Sequence, residues 1–83
     1  MRLTCNLVCE YGDGDLEHEL FAYAKDAEKT LKECILDWEN VETGAEKCND
    51  IDDRTVDECV KEWGYCGKGP DGDKFWIEET EVQ

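Results

Sequence analysis

Six cysteines, at positions 5, 9, 34, 48, 59 and 66, are the residues of this 83-residue chain with the widest choice of chemistry. They can bridge as disulfides, ligate a metal as thiolates, or stay buried as small apolar thiols. Cys5 and Cys9 have the spacing of a CxxxC pair, but they fall in a stretch patterned as a strand. There they lie roughly 13 Å apart at about 3.3 Å per residue, too far for one disulfide or one tetrahedral metal site. If bridged, each needs a different partner, such as Cys34 or Cys59 on helices packed over the sheet. No CxxC occurs, so neither zinc-ribbon nor thioredoxin-like chemistry is expected. All of Cys5, Cys9, Cys34, Cys48, Cys59 and Cys66 therefore remain candidates for disulfides in a secreted protein, or for reduced thiols in a cytosolic one. The opening MRLTCNLVCEYG has no apolar run of signal-peptide length, so the chain either works in a reducing cytosol or is a mature form.

Other reactive residue types give less. The Asp-rich turns fail the calcium-loop pattern: counting from Asp13 the sixth residue is His18, from Asp50 it is Thr55, and from Asp71 the fifth is Phe75. No metal site or cofactor is expected. His18, flanked by Glu17 and Glu19, reads as a solvated residue of a surface strand rather than a general base. There is no GxSxG, no HExxH and no phosphate-cradling glycine loop, so enzymatic activity is not expected.

What remains is charge. Twenty-three acids against nine Lys and Arg leave a net charge of −14, which makes direct nucleic-acid binding unlike this chain. Nine acids lie between residues 37 and 58 (Asp37, Glu39, Glu42, Glu46, Asp50, Asp52, Asp53, Asp57 and Glu58) against Lys47 and Arg54. Asp37 and Glu39 occupy the last turn of a helix, where the dipole disfavours anions, and no structural gain offsets this at the level of sequence. A field this negative steers a protein onto a basic surface. Trp76, whose neighbours Phe75 and Ile77 point the other way, could anchor such a contact.

These residues need elements to hold them. Residues 2–11 alternate, with Leu3, Cys5, Leu7, Cys9 and Tyr11 on one face, which predicts a half-buried strand. Gly12 to Asp15 has the chemistry of a tight reversal. Residues 16–24 fit either the second strand of a hairpin or the first turns of one long helix from Leu16 to Trp38; the turn favours the hairpin. In the stretch Ala24 to Trp38, Asp26 reads as an N-cap, and Ala27, Leu31, Cys34, Ile35 and Trp38 form an apolar stripe. Gly44 and its polar surroundings end that helix. Thr55 and Glu58 predict a capping box for a second helix carrying Val56, Cys59, Val60 and Trp63, with Gly64 as its left-handed terminus. Lys74 to Val82 reads as the last strand. No stretch is long and apolar enough for a membrane span.

The expected fold is one acidic α+β domain over residues 1–83: an N-terminal hairpin plus a C-terminal strand in a three-stranded sheet, with two helices on one face. In length, acidity and coarse layout the whole chain resembles the small acidic inhibitors that phages and mobile elements encode, among them anti-CRISPR and DNA-mimic proteins. That resemblance implies a non-enzymatic inhibitor, working in the host cytoplasm, whose acids stand in for phosphates and block the basic channel of a nucleic-acid-binding effector. The other class is a secreted, disulfide-stapled signalling or effector protein that binds a receptor.

Overall fold

Alternation at both ends of the chain and helical spacing in its middle organise the observed elements. A computed structural model describes residues 2–49, 53–67 and 72–82. Its elements are β1 (Arg2–Glu10), β2 (Leu16–Phe21), α1 (Ala24–Glu39), α2 (Val56–Lys61), β3 (Gly64–Cys66) and β4 (Lys74–Val82). The α+β class and the hairpin are as expected, but the sheet has four strands rather than three. They run β2-β1-β4-β3, every pair antiparallel. The additional strand, β3, is too short to leave an alternation signal.

In β1, Cys5, Leu7 and Cys9 face the helices. Val8 points the other way and is still only 3% exposed, with His18 of β2 and Trp76 of β4 as its register neighbours. The turn to β2 closes where the Tyr11 amide donates to the Asp15 carbonyl and the Gly14 amide to the Tyr11 carbonyl, both at 2.9 Å. Gly14 has φ +95°, a conformation that only glycine adopts without strain. On β2, Glu17, Glu19 and Phe21 share the helix side, and Leu16, His18 and Leu20 share the open face.

The start of α1 differs from expectation. Tyr23 holds the N-cap position in extended conformation, without a side-chain cap bond, and Asp26 lies inside the first turn. There its charge still complements the helix dipole, so the acid marks the terminus without capping it. The helix also ends earlier than Gly44. Asn40 closes it in the left-handed conformation at φ 56°, and the Val41 amide donates to the Leu36 carbonyl at 3.0 Å. Asn is the second-best residue for that role after Gly. Ala27, Leu31 and Ile35 are fully buried over β1 and β4, and Cys34 is half-buried. Trp38, expected on this stripe, is 53% exposed. Its indole packs on the rings of Tyr11 and Phe75 and is otherwise open.

The capping box of α2 is present in full, with Glu58 N–H donating to Thr55 Oγ1 and Thr55 N–H to Glu58 Oε1, each at 3.1 Å. Its left-handed residue is Trp63 (φ 59°) and not Gly64, which pairs with Trp76 in β3. The Trp63 carbonyl accepts from the Ile77 amide at 3.1 Å, so sheet pairing holds a bulky residue where glycine was expected. Val56 and Cys59 of α2, Tyr65 of β3 and Phe75 and Ile77 of β4 complete one core on the helix side of the sheet.

Leu31 has no exposed surface, whereas Leu20 is 64% exposed. Leu31→Ala should therefore lower unfolding free energy by about 2–5 kcal/mol, and Leu20→Ala should stay within about 0.5 kcal/mol of the parent. Urea unfolding followed by tryptophan fluorescence checks both.

Candidate functional site

Four acids of the run make bonds within the fold. Glu39 is half-buried: its Oε1 accepts from Asn49 Nδ2 at 2.9 Å and from the Tyr65 hydroxyl. Glu46 Oε2 accepts from the amides of Glu42 and Thr43 at 2.9 and 3.1 Å, closing the loop after α1. Asp57 pairs with Lys32 at 3.1 Å, and Glu58 belongs to the capping box. These four acids thus have structural work, which corrects the expectation of charge without structural gain. Asp37, Glu42 and Asp53 are exposed, while Asp50 and Asp52 lie outside the described residues. Trp76 is half-buried on the sheet face away from the helices, where its Nε1 donates to Glu78 Oε1 at 2.7 Å. It is therefore not part of any surface with Asp37.

A different set of acids does converge. Glu17 and Glu19 rise from the helix side of β2, and Glu33 and Asp37 stand one turn apart on α1. Between them lies Cys34, whose thiol is pushed up by burial first and then by Glu19, Glu33, Asp37 and Glu17. Burial, then Cys34 and Glu17, likewise push the neighbouring Cys9 thiol up to about 11. Like charges one turn apart on a helix cost about 0.2–0.5 kcal/mol, so Glu33 and Asp37 are held together against a small penalty. Glu17, Glu19 and Glu33 were not singled out in the sequence, because they are adjacent only once β2 lies beside α1. The alternation of Glu17 and Glu19 was the available signal.

This flank continues into a cleft at the end of α1. Tyr11 donates its hydroxyl to Glu17 Oε2 at 3.1 Å. Tyr11, Trp38 and Phe75 form a ring cluster with centroids 6.1–6.2 Å apart, and Tyr65 extends it at 5.3 Å from Phe75. Tyr11, Gly12, Asp13, Trp38 and Asp73 line an open cleft of about 570 Å³. Asp73, 4% exposed, accepts from the Gly12 amide through Oδ1 at 2.7 Å. Its Oδ2 is shielded from solvent and has no hydrogen-bond partner among the described residues. The Asp73 carbonyl accepts from the Gly67 amide, and a Cβ on Gly67 would stand 2.9 Å from that oxygen, so only glycine fits the approach. Nothing in the sequence distinguished Asp73 from its many acidic neighbours.

The cysteines do not sort into three adjacent pairs. Cys48 and Cys59 bring their sulfurs to 3.6 Å in the core, and Cys9 neighbours Cys34. Cys5 and Cys66, however, occupy opposite faces of the sheet by register. No disulfide is formed among the described residues, and none of their His, Cys, Asp and Glu side chains cluster in a metal-holding group. No described helix is long and apolar enough to cross a membrane. The chain matches no protein-family model, and no curated protein or solved structure is significantly similar to it.

Cys9, Tyr11 and Tyr65 hold their protons more tightly folded than unfolded. Burial comes first for each; a hydrogen bond to Glu17 then helps push Tyr11 up to about 12, and one to Glu39 raises Tyr65. Their contribution is complete below the ordinary pKa and is lost as pH rises through the folded one, from 9.0 to about 11 for Cys9. Under reducing conditions the urea midpoint should fall steadily across that window, and Cys9→Ala should make the fall shallower. A flat midpoint would show that these groups titrate alike in both states.

Proposed function

We propose that this protein is a non-enzymatic binder of basic protein surfaces, acting as an inhibitor that covers the nucleic-acid-binding channel of a host effector. The observation that carries the reading is the placement of Glu17 and Glu19 on the helix side of β2, next to the helix that carries Glu33 and Asp37. Unlike Glu39, Glu46 and Glu58, these carboxylates cap no helix and close no loop. On a chain of net charge −14, they add to the negative field on one flank. A basic channel is the surface such a flank complements, and its affinity would weaken as salt screens the charges.

The test is competition. At low ionic strength the protein should displace labelled DNA or guide RNA from a basic effector that it inhibits, and progressively less so as salt is raised. Replacing Glu17, Glu19 and Glu33 by Gln and Asp37 by Asn should weaken displacement by at least about tenfold, equivalent to about 1.4 kcal/mol. Glu79→Gln with Glu81→Gln, on β4, serves as the control. Displacement that ignores both salt and the four-site variant would overturn the reading.

The secreted, stapled alternative has one observation in its favour, the 3.6 Å approach of the Cys48 and Cys59 sulfurs. Intact mass of the native protein before and after alkylation separates the two. Six alkylated thiols support the cytosolic inhibitor, and bridged pairs support the secreted protein.

A further inference from the structure

The cleft beside Trp38 holds a carboxylate that the scaffold only half uses. Asp73 binds the Gly12 amide through Oδ1, while Oδ2 has no partner among the described residues despite being nine-tenths buried. A carboxylate only accepts hydrogen bonds, so a group that pairs with Oδ2 is a donor. Around it stand Tyr11, whose hydroxyl is committed to Glu17, and Trp38, whose indole is 53% exposed within an otherwise inward-packed ring cluster.

Three features select a cationic donor: the Asp73 charge, the aromatic faces, and the negative flank that begins at Glu17. A guanidinium meets them better than an ammonium. It is planar, stacks on aromatic rings, sheds water more readily, and presents a fork of N–H groups to a carboxylate. A small metal ion would need several converging oxygen ligands, and among the described residues no group of three His, Cys, Asp or Glu side chains is placed to hold one. The geometry points to this cleft, formed by Tyr11, Gly12, Asp13, Trp38 and Asp73, as a socket for one arginine side chain of the basic partner. The inference rests on the reading of the protein as a binder of basic surfaces, and adds which residue the partner presents and where it docks. Because Oδ2 is shielded from solvent, the arginine enters with a side-chain shift at the exposed wall, a change of the size that interfaces ordinarily make.

The test uses three nine-residue peptides in which glycine alternates with arginine, lysine or citrulline, titrated into the full chain by NMR and calorimetry. The arginine peptide should bind most tightly and shift the Trp38 indole N–H and the Gly12 amide, and the citrulline peptide should shift neither. Trp38→Leu should weaken arginine binding by about tenfold, with Trp38→Phe intermediate. Asp73→Asn should weaken it as well; should that variant fail to fold, the two substitutions at exposed Trp38 decide. Equal binding of arginine and lysine peptides, unaffected by Trp38→Leu but lost on neutralising Glu17, Glu19 and Asp37, would overturn the socket and leave the acidic surface standing. No binding of any basic peptide at low salt would overturn both.

Discussion

The pairing of β1 with β4 is the contact on which the rest of the molecule depends. Their register runs without interruption from Arg2↔Val82 to Glu10↔Lys74, joining the first strand to the last. The floor under α1 consists of Cys5, Leu7 and Cys9 from one strand and Phe75 and Ile77 from the other. Neither strand alone covers the Ala27, Leu31, Ile35 stripe, so the helix gains its burial only after the ends of the chain meet. Loop-closure entropy grows only logarithmically with separation, which makes such a closure affordable. The same topology puts the decisive contacts at long sequence separation, the regime of slower folding.

A chain of net charge −14 resists that compaction, and the structure shows how part of the acid is put to use. Glu39, Glu46 and Glu58 each satisfy donors that would otherwise compete for water: a tyrosine hydroxyl and an amide side chain, two loop amides, and a helix-cap amide. The part-buried bonds to the charged acceptor Glu39 offset the dipole penalty of about 0.3–1 kcal/mol at the end of α1, while the exposed bonds of Glu46 and Glu58 are weaker. The pairs Lys32–Asp57 and Arg54–Glu62 are largely exposed and contribute at most about 1 kcal/mol. Most of these bonded acids lie from the end of α1 onward, and on the β2–α1 flank Glu17 makes a comparable bond to the Tyr11 hydroxyl.

Periodicity carried most of the architecture. The alternation of β1 and β4, the Gly14 turn, the α1 stripe and the Thr55–Glu58 box were all legible because each is a local pattern. The misreadings share a cause: tertiary contacts reassigned roles that local chemistry permitted to more than one residue. Trp63 took the left-handed position because the Ile77 amide claims its carbonyl, freeing Gly64 to pair in β3. Asn40 ended α1 where Gly44 was also suited. The acidic run was visible as composition, but bonding by Glu39 and Glu46 was not. The β2–α1 flank and the Asp73 cleft stayed hidden for the same reason. They are assembled from residues distant in sequence, with no spacing that marks them.

Phe75 ties the two levels together. Its position opposite Cys9 is set by the β1–β4 register, and its ring packs against Tyr65, Tyr11 and Trp38. Two residues earlier on the same segment, Asp73 is bound to Gly12 of the β1–β2 turn, so the seam that builds the core also fixes two walls of the cleft. Tyr11 is equally constrained, with its amide and carbonyl both in the turn and its hydroxyl on Glu17. Trp38, in the last turn of α1, keeps an open side, as do Gly12 and Asp13 of the turn. A cleft most of whose walls are held by bonds of the fold loses little entropy in closing on a ligand. Because Glu17 belongs to the acidic flank and holds Tyr11 in the cleft, charge placed on one is felt in the geometry of the other.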